Sequence, residues 1–200
     1  GGALTVGKSA AVPAQNIAEN VSGLDLGAFD IEAKGEAISV SQMDFWVHLS
    51  SSTADPADVT GITLRDANGT IVAGPVDASN TAGSTHGRVR FTDTVTFAVG
   101  KAAYYLKAKY GTDFANNDTV TASTTPSSDF ATVRGTVSGN TITASPTSLV
   151  TANTMTIKAP EVKITVASVP LAQTIVAGSP FVFANYQLDA SQSGEDVRFS

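Results

Sequence analysis

The sequence predicts an all-β protein: an immunoglobulin-like β-sandwich completed once and then begun again. Three observations lead there. About a dozen short runs alternate apolar and polar residues, and no long stretch has helical spacing. Turn signals separate these runs, with Asn68-Gly69 the strongest because both residues accept positive φ. The C-terminal stretch repeats the N-terminal one. Leu4-Thr5-Val6, Pro13-Ala14-Gln15, Ile17 and Phe29-Asp30-Ile31-Glu32-Ala33 return as Ile164-Thr165-Val166, Leu171-Ala172-Gln173, Ile175 and Tyr186-Gln187-Leu188-Asp189-Ala190. The offsets are 158 for Gln15 to Gln173, 157 for Ile31 to Leu188 and 160 for Val6 to Val166. A period this long marks a tandem domain, not a solenoid repeat.

The elements follow in order. Leu4 to Lys8 reads as a strand that Pro13 breaks, and Gln15 to Ala18 resumes it. Leu24-Asp25-Leu26 and Phe29 to Ala33 both alternate, and their phase flips at Gly27, as a bulge produces. Ile38 to Leu49 is the longest strand. Met43, Phe45, Val47 and Leu49 form one face, and Gln42, Asp44, Trp46 and His48 form the other. Gly61 to Arg65 and Thr70 to Ala73 flank the Asn68-Gly69 turn. Val89 to Val99 follows, with Asp93 interrupting its apolar face as a turn or bulge. Ala102 to Tyr110, Asp118 to Ser123 and Phe130 to Ser138 are further strands, with Thr124–Ser128 a loop. Thr141–Ala144 pairs back across Ser138-Gly139-Asn140. Met155 to Lys158 closes the first module, residues 1–162, and Val162 to Val166 opens the second, residues 163–200. Ala159-Pro160 is the seam, short enough for a stiff joint. The alternation places Phe29, Ile31, Phe45, Val47, Ile62, Leu64, Phe91, Phe97 and Leu106 in the core.

Composition excludes several functions. The chain is 42% apolar and 15% charged, with net charge −6 and pI about 4.7. Nothing here attracts nucleic acid. No apolar run is long enough for a helix to span a membrane. The absence of cysteine rules out the disulfide of antibody domains and suits a surface protein exposed to oxidant. The opening Gly-Gly-Ala-Leu, without Met, leads us to expect a processed start or a piece of something larger.

Several runs together carry a resemblance. They are Ile62-Thr63-Leu64 through Asn68-Gly69 to Val72-Ala73-Gly74-Pro75-Val76, Ser138 to Thr143, Thr151 to Thr156, and Ser193 to Ser200. They resemble tandem immunoglobulin-like repeats in large secreted surface proteins of uncultivated, ultra-small candidate-phylum bacteria. The resemblance implies an extracellular or cell-surface location and a surface-layer, adhesive or filament role. It supplies no catalytic residues.

Enzyme chemistry finds little support. There are two histidines, His48 and His86, no cysteine and no Gly-x-Ser-x-Gly elbow. The expectation is a protein that is not an enzyme and needs no cofactor. Calcium is the one metal to consider, because it takes oxygen ligands from carboxylates near turns. Asp55 with Asp58, and Asp113 with Asp118, are the nearest clusters, although no Asp-x-Asp-x-Asp loop is present. Trp46, the lone tryptophan, shares its face with Asp44 and His48. It is a surface aromatic for a neighbouring module or a sugar, unless a phase error places it in the core. Asn20, Asn68 and Asn117 each begin a glycosylation sequon, with Asn68 the most accessible.

The tail carries Ile175, Phe181, Phe183, Tyr186, Leu188, Val197 and Phe199. Burial of a large apolar side chain contributes about 1.5–3 kcal/mol, so exposing the set costs well over 10 kcal/mol in aggregate. A quarter of a sandwich cannot bury its own face. The expected function is therefore a structural component of an extracellular filament, surface layer or adhesive stalk, self-associating head-to-tail through this tail. The alternative is a carbohydrate- or host-binding adhesin module.

Overall fold

A computed structural model describes residues 1–80, 85–158, 162–191, 193 and 196–199. The seam at Ala159-Pro160 and the residues Gly194, Glu195 and Ser200 lie outside them. In chain order the strands are β1 (Ala3–Lys8), β2 (Gln15–Ile17), β3 (Leu24–Lys34), β4 (Ile38–Ser50), β5 (Val59–Arg65), β6 (Ile71–Val76), β7 (His86–Phe91) and β8 (Val95–Phe97). Then come β9 (Gly100–Tyr110), β10 (Thr119–Thr124), β11 (Phe130–Gly135), β12 (Val150–Thr151), β13 (Met155–Ile157), β14 (Lys163–Val166) and β15 (Tyr186–Asp189). Helix among the described residues amounts to one 3₁₀ turn, Pro56–Asp58, and the single turn α1, Pro126–Asp129.

The protein is an all-β sandwich. The first sheet runs β1-β3-β9-β5-β6. The second is built around β4, whose 13 residues serve two partners on each side. On one side β8 pairs with residues 38–40 and β7 with residues 43–48. On the other, β11 pairs with 38–43 and β10 with 46–50. The pairs β7/β8 and β10/β11 are thus single passes broken once, the first near Asp93 and the second at α1. Beyond β10 lie β12 and β13, and β2 closes the sheet parallel to β13.

Alternation decides what faces inward. Phe29, Phe45, Val47, Ile62, Leu64, Phe91 and Leu106 are fully buried, and Ile31 and Phe97 nearly so. Phe45 of the second sheet is the hub. Its ring centroid lies 5.2 Å from that of Phe29 in the first sheet, 6.0 Å from Phe91 and 5.8 Å from Phe130. Tilted and edge-on aromatic pairs of this kind add to plain area burial. The Tyr110 hydroxyl, buried with its ring, donates to the Asp25 carbonyl at 2.6 Å. Burial then pushes its pKa upward, because the charged form has no water to face.

Local chemistry explains the irregular points. The β3–β9 register shifts between Asp25 and Gly27, where alternation changes phase. A Cβ on Gly27 would stand 2.8 Å from Ala152 Cβ, in the segment between β12 and β13, so the bulge lies at a close approach that glycine permits. The turn between β5 and β6 differs from a two-residue loop with both central residues at positive φ. There Gly69 alone has positive φ, +81°, and the Asp66 carboxylate accepts from the Asn68 and Thr70 amides at 2.9 and 3.0 Å. That carboxylate holds a longer turn closed around the glycine. The segment 124–128, expected as a loop, holds the last residue of β10 and most of α1. Pro126 begins it, and the Asp129 carboxylate accepts from the Thr125 amide at 2.6 Å.

The tail is different. β14 and β15 pair antiparallel with each other alone among the described residues, and all eight of their residues are exposed.

Candidate functional site

The outer face of the second sheet carries a groove of about 690 Å³ around Trp46. Its floor follows from register. Trp46 lies opposite Ser123 on one side and Arg88 on the other, and Ser123 lies opposite Thr151. One step along, His48 lies opposite Thr121 and His86. The Thr121 hydroxyl shares a 2.9 Å hydrogen bond with that of Thr154. One row of side chains therefore crosses four strands and the other crosses three and ends at Thr154, with Leu149, Thr125 and Asp129 also lining the groove.

Trp46 is half-buried and points away from the core. The odd positions Met43 to Leu49 of β4 are buried, so the alternation that fills the core presents the indole outward. Asp44, on the same outer face, is the exception. It is only 6% exposed because Arg90 of β7 covers it with two hydrogen bonds, 2.8 and 2.6 Å. A forked guanidinium matches a carboxylate in this way.

The two histidines, 38 positions apart in sequence, stack across β4 and β7 with ring centroids 4.1 Å apart. Partial burial, then the neighbouring His86, lowers the His48 pKa. An imidazole with a lowered pKa is neutral at pH 7 and offers one donor and one acceptor. The Asp129 carboxylate is engaged by the Thr125 amide and, at 3.4 Å, the Thr124 hydroxyl. Although His48, Ser123 and Asp129 line one groove, register sets Ser123 opposite Trp46, and Asp129 serves the backbone of α1. The arrangement of a nucleophile on a base oriented by an acid is not assembled.

The chain matches no family model and no curated protein. Among solved structures it is similar to that titled "AvmM Catalyzes Macrocyclization in Alchivemycin A Biosynthesis", at 10% identity and a TM-score of 0.36. The match covers 78% of this chain and 87% of that one. A DUF4466 family protein from Parabacteroides merdae matches at 11% identity and a TM-score of 0.29, over 82% of this chain and 46% of that one. Neither likeness is close enough to carry an argument.

The carboxylates expected near turns gather at one end of the sandwich. Thr53 donates to the Asp113 carbonyl at 2.6 Å, and the Ser51 hydroxyl donates to the Asp118 carboxylate at 2.5 Å. The Asp55, Asp58 and Asp118 carboxylates each have a protein partner, whereas Asp113 is engaged through its carbonyl. Asp55 accepts from the Ala57 amide, Asp58 from the Asp55 amide and Asp118 from the Ala115 amide. They cap turns. Among the described residues no group of three or more His, Asp or Glu is placed to hold a metal.

Asn20, Asn68 and Asn117 are all exposed. Asn117 Oδ1 accepts from the Lys158 ammonium. In the tail, Ile175, Phe181, Phe183, Tyr186, Leu188 and Phe199 are between 46% and 84% exposed, and Val197 is half-buried. The sequence marked Trp46 and the tail. It gave no sign of the histidine stack or the hydroxyl row, which depend on pairing between distant strands.

Proposed function

We propose that the chain is a non-enzymatic structural component of an extracellular assembly, joined head-to-tail through its tail. The observation that carries this reading is the exposed, apolar ribbon β14-β15 beside a sandwich whose core is already full. Apolar surface of this extent is stabilised only by a cover.

The ribbon's register supports a second module. In the sandwich Val6 pairs with Ile31 and Lys8 with Phe29. In the tail Ile164 pairs with Leu188 and Val166 with Tyr186. Matching these pairs gives offsets of 158 and 157 throughout, which replaces the odd offset of 160 between Val6 and Val166. Gln173-Thr174-Ile175 then corresponds to β2, whose partner is β13, a closing strand of the same module. The tail counterpart lacks that partner among the described residues. A neighbouring copy or module supplies the missing strands by edge pairing or face packing. Head-to-tail contacts that do not close on themselves build filaments or layers.

An immunoglobulin-like reading of the sandwich rests on strand order. Lettering β1, β3, β4, β5, β9, β10 and β13 as A to G gives A-B-E-D in one sheet and C-F-G in the other. β2, β6 and the broken pass β7/β8 are additions to that frame. The extracellular location rests on the resemblance and on the absence of cysteine. Negative-stain imaging of the purified chain tests the reading. The expected result is linear or layered polymers with a repeat of one sandwich. Dispersed single particles at high concentration would count against it.

A further inference from the structure

A groove on a sheet face can be read by what it offers and what it withholds. The backbone beneath Trp46 is paired on both sides, because β4 and β10 are interior strands, so no added strand can dock there. A ligand must be recognised by side chains. Those are one indole, two imidazoles, the hydroxyls of Thr121, Ser123, Thr125, Thr151 and Thr154, one carboxylate and Leu149. The carboxylate is engaged locally and Arg90 is held by Asp44, which leaves Arg88 beside Trp46 as one cation rather than a cluster that awaits an anion. Trp46 and Leu149 provide too little apolar surface for an amphipathic helix. Among the described residues the hydroxyls of Ser123 and Thr151 have no protein partner, and they continue the indole's row on one side, Ser123 beside it and Thr151 one strand beyond.

This combination suits one ligand class. A neutral sugar ring presents C–H groups on a face, which meet the negative face of an aromatic ring, and hydroxyls at its rim. The row through Trp46 crosses four strands, hence three spacings of ~4.8 Å, or ~14 Å. The volume also falls in the range of small-ligand sites. We propose that this groove binds a neutral polysaccharide laid across β7, β4, β10 and β12, with the Trp46 indole as its platform and Ser123, Thr151 and His48 hydrogen-bonded to sugar hydroxyls. The site lies on the sandwich and is independent of the tail.

Trp46 is the chain's single tryptophan, so its emission reports on the groove directly. The full chain is titrated with cellohexaose, chitohexaose, maltohexaose and mannohexaose, each up to about 10 mM, a range that covers weak binding. At least one gives a saturable change in emission and a matching calorimetric heat. Trp46→Ala weakens that heat by about tenfold or more. The pair Ser123→Val and Thr151→Val, both at solvent-facing positions, weakens it several-fold while leaving the thermal midpoint in place. Deleting residues 164–200 leaves binding unchanged, which separates this site from assembly. No response to any of the four sugars overturns the proposal. So does an unchanged heat in Trp46→Ala, or an emission change that follows protein concentration alone, which marks the face as a contact between copies.

Discussion

Phe45 and Glu36 show two ways in which one residue sets stability. Phe45 joins the sheets through three aromatic neighbours, so Phe45→Ala leaves a cavity that rigid strands cannot fill. The expected loss is about 3–5 kcal/mol, read as a drop in the urea midpoint. A loss under about 1 kcal/mol would mean that the core is not organised around this ring. Glu36 works from the surface. Its carboxylate accepts from the Val137 and Ser138 amides and from the Ser138 hydroxyl, at 2.8, 2.8 and 2.6 Å. These bonds, led by the Ser138 hydroxyl, hold its pKa down to about 2. A lowered carboxyl pKa stabilises the fold above the ordinary value near 4.5, and that stability is lost as pH falls towards 2. Wild type should therefore exceed Glu36→Gln in stability at neutral pH, with the gap closing between pH 4.5 and about 2. A gap that stays constant to pH 2 would contradict the assignment. Trp46 and the core phenylalanines were legible in the sequence because alternation alone sorts a strand's two faces. Asp44 was not, because its burial depends on Arg90, which lies 46 positions away.

At the scale of elements, the bulge at Gly27 was legible as a phase change, and the structure supplies the reason for glycine. Gly27→Ala should destabilise by about 1–3 kcal/mol, the usual range for overpacking. Adding Ala152→Gly should restore part of the loss, because the two Cβ atoms would otherwise collide. Paired thermal melts measure this, and strictly additive losses would show that the clash is not the cause. Asp118 to Ser123 and Phe130 to Ser138, read as separate strands, are halves of one pass along β4. Asp93 marked the break between β7 and β8, where its carboxylate accepts from the Gly74 amide at 2.9 Å. The break at α1 was read as a loop, since a single turn of helix is too short to leave a periodic pattern.

For the whole molecule, the all-β class was legible and the strand order was not. Pairing of β3 with β9 or β4 with β10 joins residues 69 or more positions apart, and local alternation says nothing about such partners. The groove escaped notice for the same reason. The repeat was visible because two copies of one pattern lie in the same chain, and the register of β14 with β15 supports the equivalence. Assembly through the tail is the central claim. Light-scattering mass as a function of concentration, for the full chain and for a chain lacking residues 164–200, tests it most directly. The account predicts a mass that rises with concentration for the full chain and a folded monomer of constant mass without the tail. Equal association in both would contradict it.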